Sequence, residues 1–337
     1  MSGAGRVWCA WWLQALNLLS LLCLVVDAAK DASCLIQVNQ PAASLSATST
    51  LDQWIPRMMS FPVTTREPWM RSQGIQDLFI REIFQHIGVS SKYYVEFGYD
   101  AASFEQQAQC GPNTGALRDQ GWTGLLLDGN HENASINLHK HFLFQNNIVD
   151  LFKKYKVPKD LGYLSVDMDS HDFFVLKSIL NGGYRPALFT AEYNANYGGK
   201  PIAITMLDPT LPTGEVPKGF EFKFSGCSWG ASAYALNMLA EEHGYKLIGR
   251  VDILDLCFLR KDLISPDWEV PSFDWYFQGG KGTRKMHQDQ TDAKILDRMA
   301  DYTTWRETGD LQAAKKRASE LLKQQMGGTT CWSQVVR

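Results

Sequence analysis

Two short stretches of this chain gather oxygen ligands around a titratable ring: Asp167, Asp169 and His171 in the first, Glu192 and Asn194 in the second. Alternation along an extended strand puts Asp167 and Asp169 on one side, and Glu192 and Asn194 likewise. Carboxylates and an amide at neighbouring strand ends suit a hard cation, Mg²⁺ or Ca²⁺, with Asp167, Glu192 and Asn194 as its ligands. His171 and Asp169 are the candidate catalytic residues. An unperturbed imidazole changes charge near neutrality, the property that suits His171 to general-base work. A local reading competes: Asp169 or Ser170 caps the next helix, and His171 is a solvated first-turn residue.

Such residues need a scaffold that delivers them to one place. Four apolar runs each end in an acid: Tyr93-Tyr94-Val95-Glu96-Phe97-Gly98, Gly124-Leu125-Leu126-Leu127-Asp128, Tyr163-Leu164-Ser165-Val166-Asp167 and Ala187-Leu188-Phe189-Thr190-Ala191-Glu192. Short apolar runs of this kind read as buried parallel strands, and in an open α/β sheet the carboxyl edge of such strands is the ligand edge. Helical spacing over residues 74–84 precedes the first strand, and Asn113 or Thr114 caps a helix over 115–120. A short helix is expected around 134–144, a weak strand at 146–149, and helices over 171–180 and 228–244. Residues 195–224, rich in Gly and Pro, read as an irregular segment covering the ligand edge. The strands at 245–251 and 254–264 are joined too tightly for a parallel crossover and must form an antiparallel hairpin.

The chain has 337 residues, 45% of them hydrophobic, and a net charge of -3. That balance gives no electrostatic case for nucleic-acid binding. Residues 7–26 are apolar apart from Gln14, Asn17 and Ser20, and Val26-Asp27-Ala28 supplies small residues for cleavage. Residues 1–28 are therefore a signal peptide or a signal anchor, with Arg6 on the cytoplasmic side. Either sends the rest into the secretory lumen, as a secreted protein or a type II membrane protein of the ER or Golgi, with any membrane contact limited to that segment. Residues 29–70, with Pro41, Pro56, Pro62 and Pro68, read as a loosely ordered stem, 71–270 as the domain, and 271–337 as a charged helical extension. Outside the leader, Cys34, Cys110, Cys227, Cys257 and Cys331 allow one or two disulfides with a thiol left over, and Cys257 reads as a buried strand residue. Asn133-Ala134-Ser135 is a glycosylation sequon. The basic stretch from His139 to Lys156 reads as a solvated helix face.

The chain resembles the FkbM family of methyltransferase-like proteins, in its animal and plant branch. The resemblance rests on Val95-Glu96-Phe97-Gly98, Asn113-Thr114, Gly121-Trp122-Thr123-Gly124-Leu125-Leu126-Leu127-Asp128-Gly129, Leu164-Ser165-Val166-Asp167-Met168-Asp169-Ser170 and Ala191-Glu192-Tyr193-Asn194. It covers roughly residues 74–265 in family order. It implies an α/β, Rossmann-like seven-stranded methyltransferase sheet with a terminal antiparallel hairpin. It implies S-adenosylmethionine as cofactor, with Glu96, Gly98, Asn113, Asp128 and Asp167 holding it. Glu96 would accept from the amino group, Gly98 would let the backbone approach, and Asp128 would take the ribose hydroxyls. The expected activity is O-methylation of a hydroxyl on a glycan or small molecule. The family also implies an alternative, a non-catalytic descendant that binds a client in the secretory pathway. Tyr99, Asp100 and Ala101 replace the further glycines of the usual methyltransferase loop.

Overall fold

In a computed structural model the described residues are 51–99, 101–104, 111–220, 228–282, 287–290, 297–325 and 330–333. The expected leader, most of the stem, Cys34, Asp100, Cys110 and Cys227 lie outside them.

The N-terminal helices are α1 (Leu51–Met58) and α2 (Gln76–Ile87). Strand β1 (Tyr93–Phe97), helix α3 (Gly115–Asp119) and strand β2 (Thr123–Asp128) follow, then β3 (Leu138–Lys140), α4 (Ile148–Lys154), β4 (Tyr163–Val166), α5 (Asp172–Asn181) and β5 (Leu188–Glu192). After β6 (Ile204–Met206) and α6 (Ala233–Glu242) come β7 (Tyr245–Val251) and β8 (Asp255–Arg260). The chain continues through β9 (His287–Gln290), β10 (Met299–Asp301), α7 (Tyr302–Thr308), α8 (Leu311–Gln325) and β11 (Thr330–Ser333).

One seven-stranded sheet carries the order β3-β2-β1-β4-β5-β8-β7. Strands β1 to β5 pair in parallel, whereas β8 runs antiparallel to both β5 and β7. The Rossmann-like sheet and its reversed hairpin strand are therefore as the sequence leads one to expect. The parallel strands read as continuous apolar runs because both faces of the sheet are buried there. Val95, Leu125, Leu127, Leu164 and Phe189 are fully buried. Strand order reverses between β1 and β4, and the carboxyl ends of β1, β2, β4 and β5 share one edge.

Three expectations are corrected. Residues 134–144 do not form a helix: a three-residue 3-10 turn ends at Asn137, at φ 55°, and β3 follows. Residues from Ile148 form a helix rather than a strand, because Ile148 and Phe152, one turn apart, both enter the core. The described parts of the supposed stem and of the helical tail are also packed structure. Trp54, Ile55 and Met58 of α1 are buried in the main core, and Ala314, Ala318, Leu321 and Leu322 form one buried stripe on α8. Part of that stripe closes a smaller core with Ile204 and Met206 of β6 and Met299 of β10. Among the described residues, no helix is long and apolar enough to cross a membrane.

Candidate functional site

Strand β4 ends at Val166, and the chain must turn at once into α5. Asp172 shapes that turn. Its carboxylate accepts the backbone N–H of Met168 at 2.6 Å and of Ser170 at 2.9 Å. Asp169 sits at the apex with φ 60°, a conformation that short polar side chains tolerate better than most. The helix is thus organised from its first residue backwards, and neither Asp169 nor Ser170 caps it. This role of Asp172 has a sequence signal, an acid in the first helical turn two residues after a Ser.

The turn brings carboxylate oxygens of Asp167, Asp169 and Glu192 within 4.8 Å of one another. Asp169 is the most open of the three, and Asp167 and Glu192 are partly covered. Behind them, Asp255 opens β8 directly opposite Glu192 and accepts from Gln76 Nε2 at 2.7 Å. Among the described residues no Lys or Arg pairs with Asp167 or Glu192, and Glu192 Oε2 is enclosed without a hydrogen-bond partner. Burial first, and then the neighbouring carboxylates, push Asp167 and Glu192 well above the usual carboxylate range. Asp172 is raised mainly by burial, and burial lifts Asp255 to about 6. Such a cluster is neutralised either by shared protons or by a cation, and an enclosed, unpartnered carboxylate oxygen fits both.

The expected metal set changes in one member. Asn194 Oδ1, the atom a cation would need, accepts the backbone N–H of Asn196 at 3.0 Å and its side-chain N–H at 2.7 Å. Asp169 takes its place beside Asp167 and Glu192.

His171 does not fit a general base. Its ring is 3% exposed and stacks on Phe144 with centroids 5.6 Å apart. Nε2 lies 2.7 Å from the Leu143 carbonyl, so it must carry the proton and donate. Nδ1, the remaining acceptor of a neutral ring, lies 2.8 Å from Ser170 Oγ. The ring has no nitrogen left to take a substrate proton.

The residues expected to hold a cofactor divide. Asp128 ends β2 at the ligand edge. Its Oδ1 accepts the N–H of Asn130 at 2.7 Å and of His131 at 2.8 Å, and faces His131 Nδ1 at 2.9 Å. Its position fits a ribose acid. Glu96 fits the ammonium role poorly. Its Oε1 accepts Asn113 N–H at 2.8 Å, and Oε2 accepts Thr114 N–H at 3.2 Å and the Thr114 hydroxyl. Asn113 Nδ2 in turn donates to Ser165 Oγ at 3.0 Å. Together they pin the start of α3 to β1 and β4. Burial raises the Glu96 carboxyl to about 7, against the lowering effect of these donors. Gly98 lies at φ 67°, and a Cβ there would overlap the Asp167 carbonyl oxygen. Its lack of a side chain thus lets the ends of β1 and β4 meet.

Asn133 begins the 3-10 turn after β2. Its Nδ2 donates to the Ala102 carbonyl at 2.8 Å, and its Oδ1 accepts from the Ser135 hydroxyl at 2.6 Å. His139 stacks on Tyr155 with centroids 4.1 Å apart, and His141 Nε2 lies 2.7 Å from the Tyr155 hydroxyl. These rings are packed structure rather than a solvated helix face. Cys257 is a buried free thiol on β8. Comparison with protein-family models and with curated proteins returns no match.

Proposed function

We propose that the chain is an S-adenosylmethionine-dependent O-methyltransferase acting on a hydroxyl of a glycan or small molecule in the secretory lumen. The observation that carries this reading is the sheet order, with β8 reversed between β5 and β7, combined with acids at the carboxyl ends of β2, β4 and β5. That layout is the one the resemblance to the methyltransferase-like family leads one to expect. When bound, the cofactor supplies an electrophilic methyl group. Asp128 would hold its ribose hydroxyls, and Asp167 is the other retained cofactor residue. The protein's task is then alignment and proton removal. The Asp167–Glu192 couple takes the general-base role in place of His171. Burial and the neighbouring carboxylates hold both groups above the ordinary carboxylate range, which makes either one, when ionised, a better proton acceptor than an ordinary carboxylate. Mg²⁺ or Ca²⁺ on Asp167, Asp169 and Glu192 would instead orient the acceptor oxygen.

A second reading is a non-catalytic descendant that binds a client. It is favoured by Glu96 and Gly98, both of which serve internal contacts. Calorimetry of the full chain with S-adenosylmethionine and S-adenosylhomocysteine separates the two. Binding of either supports the enzyme. No heat with either ligand at about millimolar concentration, a Kd weaker than roughly -4 kcal/mol of binding, leaves the client-binding reading.

A further inference from the structure

A half-open cleft of about 600 Å³ lies at the amino ends of β1 and β2, away from the acidic edge. Lys92 and Trp122, which immediately precede those strands, line it together with Arg81 and Phe84 of α2 and the preceding Trp69 and Arg71. The lining holds three cations and one acid, Asp119, in a chain whose net charge is -3. The positive charge is therefore a local feature rather than a general one.

The cations are held unequally. Arg71 is fixed in place: its Nε donates to Asp119 at 2.9 Å and its Nη1 to the Pro68 carbonyl at 2.9 Å. Asp119 also receives Arg118 Nη2 at 2.8 Å, so its charge is already shared. The Arg81 guanidinium lies over the Trp69 ring, 4.2 Å from its centroid, and one nitrogen, Nη2, reaches Glu82 at 3.2 Å. Among the described residues Arg81 Nη1 and Lys92 Nζ make no hydrogen bond or ion pair, and Arg81 Nε is enclosed without a partner. A guanidinium stacked on an indole has already lost the rotamer freedom that binding would cost, and its planar fork matches an oxyanion.

The rest of the lining selects the body of the ligand. Phe84 and Trp122 pack with centroids 5.0 Å apart and give an apolar wall. Gln85 and Gln120, both exposed, also line the cleft, and their amides can donate to and accept from hydroxyls. A volume of about 600 Å³ suits one or two rings. We propose that this cleft binds an acidic saccharide, a short sugar carrying a carboxylate or a sulfate. Arg81 and Lys92 take the anionic group, the aromatic wall takes the apolar face of the ring, and the glutamines take its hydroxyls.

Titration calorimetry of the full chain tests this with an unsulfated chondroitin disaccharide, its sulfated counterpart, and lactose as a neutral disaccharide. Either acidic sugar is expected to bind at least about tenfold more tightly than lactose, and the sulfated arm tells which anion is preferred. Added salt should weaken the acidic sugars and leave lactose unchanged. Lys92 is exposed, so Lys92→Gln should fold normally and weaken acidic-sugar binding several-fold, and Arg81→Gln should weaken it further. Equal binding of lactose, no binding of any sugar, or unchanged affinity in both variants would overturn the proposal.

Discussion

Glu96 and Thr114 are joined twice, through the threonine's backbone N–H and through its hydroxyl, both to the same carboxylate oxygen. With Asn113 N–H on the other oxygen, one buried acid on β1 satisfies three donors at the start of α3. Glu96→Ala would leave those donors buried and unpaired. The expected loss is about 3 kcal/mol of stability, measured by chemical denaturation. Glu96→Gln should retain most ligand binding, because the carboxylate is committed to the fold. If the variant folds as well as the parent and yet binds no S-adenosylhomocysteine, the residue faces the cofactor after all.

Gly98 and Gly121 give a paired test of why a glycine is needed. Both have positive φ, 67° and 80°, but only Gly98 has a neighbour, the Asp167 carbonyl oxygen, where a Cβ would be. Gly121→Ala should cost about 1 kcal/mol, the strain of the backbone alone. Gly98→Ala should cost on the order of 3 kcal/mol, because the ends of β1 and β4 must also separate. Similar melting temperatures for the two variants would contradict the contact.

Stability should fall as the pH rises toward neutrality. Glu96 is raised from an ordinary 4.5 to about 7 and Asp255 from 3.8 to about 6, with Asp167, Asp172 and Glu192 raised as well. A raised carboxyl means that the folded chain binds more protons than the unfolded chain across that window. Its stability is complete below the unfolded value and declines as the pH climbs through the folded one. Glu96 alone would contribute roughly 3 kcal/mol of this change. Urea midpoints compared at about pH 5 and about pH 7 test it, and a flat or rising profile would count against the clustering.

The Asp167–Asp169–Glu192 cluster predicts opposite effects on stability and activity. Asp167→Asn removes a carboxylate from among like charges and should stabilise the protein by about 1 kcal/mol at neutral pH while abolishing methyl transfer. Ca²⁺ or Mg²⁺ should raise the melting temperature of the parent relative to chelator-treated protein, and Asp169→Asn should reduce that rise. Thermal scans with and without cation, on parent and variant, read both effects.

The strand-end acids were legible in the sequence because the period of a strand and its terminal residue are local properties. The hairpin of β7 and β8 was legible for the same reason: three residues between the strands allow no crossover. Other features depended on distant partners. His171 is enclosed by the Leu143 carbonyl and Phe144, which lie 28 and 27 positions earlier, and no pattern around His171 announces them. The stripe Ala314, Ala318, Leu321 and Leu322 was present at helical spacing but obscured by the lysines between. Pro56 masked α1, although Trp54, Ile55 and Met58 already had the spacing of a buried helical face. Trp54→Ala should accordingly cost about 3–5 kcal/mol, as expected of a core residue and not of a stem.

The reversed strand β8 also bears on how the chain is made. It enters the sheet between β5 and β7 although it is the last of the seven to be synthesised. Until residue 260 has left the ribosome, β5 has a bare flank, and the growing chain holds an unfinished sheet with an exposed apolar edge. Asp255 arrives on that same strand, opposite Glu192. The strand that closes the sheet thus also brings a further carboxylate beside Glu192, so the nascent chain meets that electrostatic cost in the final step of building the sheet.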